Sequence, residues 1–65
     1  MIFPIVSIII PLYNKESSIR STIDSVLNQK FSNFEIVIVD DGSTDNSSTI
    51  VKNINDNRIH YYYKD

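Results

Sequence analysis

Hydrophobic residues in this chain alternate between short unbroken runs and helically spaced sets. The sharpest run is Ile36-Val37-Ile38-Val39, which stops at Asp40, Asp41 and Gly42, the only glycine in the sequence. Consecutive β-branched aliphatics suit a strand buried on both faces, as in a parallel sheet, rather than the alternation of a half-exposed one. Val6 to Ile10 predicts an earlier strand, interrupted only by Ser7 and ended by Pro11, because proline cannot donate to a central ladder. Between the two runs, Ile19, Ile23, Val26 and Leu27 fall on one face of a helix, with Arg20, Ser21, Asp24 and Asn28 on the other. This helix is predicted to end near Gln29 or Lys30. Asn14 is its candidate cap, and Glu16 in the first turn would complement the helix dipole.

Beyond the central run, Ser43 to Asp45 supplies cap residues, and Ile50, Val51 and Ile54 give a shorter helical face. The segment Asn53 to Asn57 breaks that helix, since its side chains compete for backbone hydrogen bonds. Arg58 to Tyr63 is rich in β-formers and predicts a third strand. The order is βαβαβ, an α/β pattern equal to half of a doubly wound, mainly parallel, Rossmann-like sheet. Right-handed crossovers would give the spatial order three, two, one. Asp65 follows directly on the third strand, where such folds usually continue. The expectation is therefore a truncated chain with an unpaired edge on the first strand, against the alternative of a complete miniature domain.

Composition narrows the function classes. A domain of about 60 residues buries only about 60% of its unfolded surface, and with no cysteine there is no disulfide to compensate. The formal net charge is −2, and the six basic residues are scattered from Lys15 to Lys64, which excludes a nucleic-acid footprint. Met1 to Leu12 is apolar enough to raise a leader or membrane reading. It lacks a basic flank, contains Pro4 and Pro11, and falls short of the roughly 20 apolar residues a bilayer crossing needs. A core strand and a cytoplasmic location are the resulting expectations. One glycine cannot build a dinucleotide fingerprint or a P-loop, and one histidine without cysteine gives no zinc or haem site. His60 reads as a solvent-facing or packed structural residue, and Tyr61-Tyr62-Tyr63 as half-buried strand packing rather than a base-stacking platform.

In open α/β sheets ligands sit beyond the carboxyl ends of the strands. Parallel neighbours would bring Pro11-Leu12-Tyr13-Asn14 beside Asp40-Asp41-Gly42-Ser43. A tyrosine ring there can lie on a base, and a carboxylate can accept from a ring N–H or from ribose hydroxyls, a demand that uracil meets through its N3–H. Gly42 to Asp45 could equally be turn and cap residues, but turn chemistry does not explain a second carboxylate at the strand end.

The stretches Val6 to Asn14 and Glu35 to Asp45, with Ser25-Val26-Leu27-Asn28-Gln29 between them, resemble the amino-terminal segment of family 2 glycosyltransferases of the GT-A fold. The resemblance covers nearly the whole chain. It implies that residues 1–65 are a partial nucleotide-sugar-binding domain, taking a nucleotide-diphospho-sugar, usually a UDP-sugar, and serving inverting transfer to an acceptor hydroxyl. By position, Tyr13 would stack on the base, and Pro11 and Leu12 would contact it through backbone. Asp41 would accept from the base N–H, and Asp40 would support the ribose or the turn. Asn14, Glu16, Gly42 and Ser43 would shape the pocket, although Asn14 and Glu16 could instead start the helix. The family's metal-binding Asp-x-Asp motif and catalytic base lie further along and have no counterpart here. The resemblance thus implies a divalent cation, Mg or Mn, for the full-length enzyme, with no ligands for it in this chain and no catalytic residue.

The implied partners are a nucleotide-sugar donor and a carbohydrate or lipid-linked acceptor, and association with the inner membrane face is common in the family. A non-catalytic short protein that binds a nucleotide, or self-associates through its exposed sheet edge, is the alternative from another class.

Overall fold

A computed structural model describes residues 6–65, so the apolar stretch before Val6, with Pro4, lies outside the described residues. The predicted order holds: β1 (Val6–Leu12), α1 (Ile19–Leu27), β2 (Phe34–Asp40), α2 (Ser47–Lys52) and β3 (Ile59–Tyr63). β2 lies between β1 and β3, and both pairings are parallel. Their register places Leu12, Asp40 and Tyr63 in one row at the carboxyl end of the sheet. That row carries the loops of the site.

One expectation is corrected along β2. Phe34, Ile36, Ile38 and Asp40 are buried, but Glu35, Val37 and Val39 between them are only half-buried. Crossovers of one hand that move steadily across a sheet leave their helices on the same side. Accordingly Ile19 and Ile23 from α1 and Val51 from α2 share a core with Leu12, Phe34, Ile36 and Ile38. No described helix covers the opposite face, where Ile9 and Tyr62 are exposed.

A second correction concerns Pro11, which lies inside β1 rather than at its end. The Leu12 carbonyl accepts from Asp41 N on the β2 side. Alternation along the strand therefore turns the Pro11 nitrogen to the free edge, where no ladder bond is lost.

α1 spans the same residues as its apolar spacing, so it starts later than an Asn14 cap and a Glu16 first turn would place it and stops at Leu27, short of the expected Gln29 or Lys30. A turn closed by Ser18 N and Ile19 N donating to the Lys15 carbonyl precedes it, and Asn28 caps its carboxyl end. Neither Asn14 nor Glu16 belongs to that helix, so their predicted cap and first-turn roles are replaced by contacts described below. Tyr61 packs half-buried against the core as expected, whereas Tyr62 and Tyr63 are exposed. His60 is partly exposed, with Nε2 3.4 Å from a Glu35 carboxylate oxygen.

Candidate functional site

The loops after β1 and β2 are joined by side chains that bond each other's backbone. Asn14 N donates to Ser43 Oγ (2.9 Å), Lys15 N to Ser47 Oγ (2.9 Å) and Glu16 N to Asp45 Oδ2 (3.1 Å). In return Thr44 N and Asp45 N donate to Asn14 Oδ1 (2.8 and 3.2 Å), and Asn46 N donates to Glu16 Oε1 (3.0 Å). Most of these N–H groups lie in turns or at the start of α2, where helical partners are lacking. Short polar side chains supply the missing acceptors and thereby fix one loop against the other.

Backbone conformation explains two of the residue types. Asn14 has φ +49°, a left-handed value that asparagine tolerates better than most residues with a Cβ. Gly42 has φ +85°, and a Cβ there would stand 3.5 Å from the Lys64 carbonyl. The turn thus requires glycine for its backbone angle, not for space.

The adjacent carboxylates face opposite surroundings. Asp40 has no exposed surface: Oδ1 accepts from Ser43 N (2.8 Å) and Oδ2 from the Tyr61 hydroxyl (2.5 Å). Burial pushes its pKa upward, but the bonds from Tyr61 and Ser43 together outweigh burial and hold the carboxyl below its ordinary value. Burial, then the Asp40 bond, pushes the Tyr61 hydroxyl up to about 12, so it stays protonated and donates at neutral pH. Both Asp40 oxygens are engaged within the protein, and its geometry is that of a turn support. Asp41 is different. Its N–H is anchored on the Leu12 carbonyl (2.8 Å), while its side chain is 69% exposed, with Lys64 Nζ 3.9 Å away.

Asp45 repeats the Asp40 logic at the start of α2. Burial raises its pKa, yet the bonds from Ser47 and from Glu16 N prevail and the net shift is downward. Its Oδ1 accepts from Ser47 N (2.9 Å), an aspartate turn leading into the helix.

The structure therefore brings the nine sequence-predicted residues to one rim but divides them. Leu12 is in the core, Asp40 and Ser43 are buried, and Asn14, Glu16 and Gly42 set the loop backbone. Pro11, Tyr13 and Asp41 remain exposed. Sequence reasoning missed Tyr61, Thr44, Asp45 and Ser47 as parts of this rim. Asp45 and Ser47 carried a legible signal in their two-residue spacing; the reach of Tyr61 to Asp40 depends on sheet register and carried none. Among the described residues no group of three or more His, Cys, Asp or Glu side chains could hold a metal ion, and no helix is long and apolar enough to cross a membrane.

A rim of this kind offers a fixed backbone, the exposed Tyr13 ring and the exposed Asp41 carboxylate. Such a set has the chemistry to stack a planar heterocycle and to accept a hydrogen bond from it. The sequence profile of glycosyl transferase family 2 matches residues 7–65. An uncharacterised glycosyltransferase of Rickettsia typhi is 48% identical over 62 residues, covering 95% of this chain and 19% of its own length. One from Haemophilus influenzae is 43% identical over 65 residues, covering 97% and 26%. The Escherichia coli UDP-Glc:alpha-D-GlcNAc-diphosphoundecaprenol beta-1,3-glucosyltransferase WfaP is 47% identical over 55 residues, covering 85% and 22%. This chain thus spans about a fifth to a quarter of the length of these relatives, and it belongs to glycosyl transferase family 2.

Proposed function

We propose that this chain is the donor-binding segment of a glycosyltransferase that moves a sugar from a UDP-sugar to an acceptor hydroxyl with inversion at the anomeric carbon. The observation that carries the reading is the pairing of an exposed Tyr13 ring with an exposed Asp41 carboxylate on neighbouring, mutually bonded loops. In this reading the uracil lies on the Tyr13 ring and gives its N3–H to Asp41, with the backbone of Pro11 and Leu12 beside it. Asn14, Glu16, Asp40, Gly42 and Ser43 hold the two contacts in place. No residue of this chain is given a catalytic role.

The name of the Escherichia coli relative supports a lipid-linked carbohydrate as the acceptor class. A divalent cation at the donor diphosphate belongs to the proposal for the whole protein. Asp40 and Asp45 already use their oxygens within the loops, so the described residues do not form a cation site. Its ligands would lie elsewhere, and no step is routed through it.

Calorimetric titration of the protein with UDP tests the reading. Loss of one stacking or one charged hydrogen-bond contact weakens binding by about tenfold or more. Tyr13→Ala and Asp41→Ala should each do so while leaving the fold intact, because both side chains are more than half exposed. UDP affinity unchanged in both variants would sink the proposal.

A further inference from the structure

We propose that Tyr61 is a positioning residue of the donor site: its hydroxyl, acting through Asp40, fixes the Asp41-Gly42-Ser43 turn and with it the direction of the Asp41 carboxylate. The inference rests on the donor-site reading given above. Tyr61 is half-buried in β3, outside the two loops. It pairs with Ile38 in the β2–β3 register, one alternation below Asp40, so the length of its ring carries the hydroxyl to the carboxylate at the strand end.

The chain of contacts is continuous. Tyr61 OH donates to Asp40 Oδ2, and Asp40 Oδ1 accepts from Ser43 N on the far side of the turn. Asp41 N donates to the Leu12 carbonyl and Lys64 N to the Asp40 carbonyl, each at 2.8 Å. Asp41 therefore stands between two held points, and Gly42 beside it has no side chain with which to hold the turn itself. Among the described residues no cation pairs with Asp40; Asp45 is a like charge near it, Tyr63 and Ser48 flank the Tyr61 hydroxyl, and Lys52 Nζ sits 5.4 Å over the Tyr61 ring. Hydrogen bonds alone keep this buried carboxylate ionised, and Tyr61 supplies the one that comes from a neighbouring strand. A phenylalanine would fill the same core volume and leave one carboxylate oxygen without its donor.

The test is Tyr61→Phe in the protein, with UDP titrated by calorimetry across acidic to neutral pH and amide hydrogen exchange measured in parallel. Freed of its hydroxyl partner, Asp40 protonates more readily, so its contribution to binding should be lost at a higher pH than in the wild type. The expected result is UDP affinity about tenfold weaker near neutrality, an acid limb displaced upward, and faster exchange at Ser43 N–H with Ile36 and Ile38 still protected. In an Asp40→Asn background, Tyr61→Phe should displace the acid limb no further. Equal affinity and an unmoved acid limb in Tyr61→Phe, with the wild type binding UDP, overturns this inference and leaves the donor-site reading intact. Loss of protection throughout the sheet assigns Tyr61 to general stability and also overturns it. A wild type that does not bind UDP overturns both.

Discussion

At the carboxyl end of the strands, side chains of the 14–16 and 43–47 loops bond across to each other's backbone, whereas at the amino end the polar side chains pair in small local groups. There Asp56 grips Arg58 (2.9 Å), whose guanidinium lies over the Phe34 ring, and Glu35 is shared between Ser7 and His60. A cavity of about 320 Å³ opens beside Phe34, Glu35, Arg58 and His60. Yet its charged groups already have partners. The carboxyl rim is arranged differently: its scaffold is internally bonded, Tyr13 faces solvent, and Asp41 faces solvent with an equally exposed Lys64 Nζ 3.9 Å away. A binding site is better recognised by exposed groups on a fixed backbone than by the presence of a depression.

Asn14 gives the sharpest way to break this contrast. Asn14→Ala removes the acceptor used by Thr44 N and Asp45 N and places alanine at φ +49°. The two losses together should cost about 2 kcal/mol in denaturant unfolding of the protein. Asn14→Gly restores the backbone freedom but not the acceptor, and should recover about half of that. Equal stability of the two variants would mean that backbone angle contributes nothing at this position.

Gly42→Ala should have a smaller effect. The added Cβ meets the Lys64 carbonyl at 3.5 Å, an ordinary contact, so only the left-handed φ of +85° is costly. About 1 kcal/mol of lost stability is expected in the same unfolding measurement. A loss several times larger would show that the turn is closed more tightly than its contacts indicate.

Much of this arrangement was legible in the sequence because it depends on local pattern. The run Ile36 to Val39 stopping at Asp40 marks a strand end, and the spacing of Ile19, Ile23, Val26 and Leu27 marks the helix that crosses to it. What was not legible depends on where neighbours stand. Whether Val37 and Val39 are covered is decided by the side to which α1 and α2 cross, not by their own β-branched chemistry. Pro11 continues a strand because that strand is at an edge, a fact of sheet order rather than of composition. Asn14 looks like a helix cap from its place in the chain, but a left-handed backbone turns its amide toward the other loop. The tyrosine run reads as uniform packing, while register sends only Tyr61 to a carboxylate.

The smallest expected effect belongs to the amino rim and sharpens the comparison from the other side. Glu35→Gln keeps an acceptor for Ser7 Oγ and removes the charge facing His60, a pair in which both side chains keep contact with water. Solvent screens such pairs, so unfolding free energy should change by less than about 0.5 kcal/mol. UDP affinity should not change at all, since the rim that would bind it lies at the opposite end of β2. An altered UDP affinity in Glu35→Gln would move the candidate site into the amino-end cavity and remove the reason for placing it at Tyr13 and Asp41.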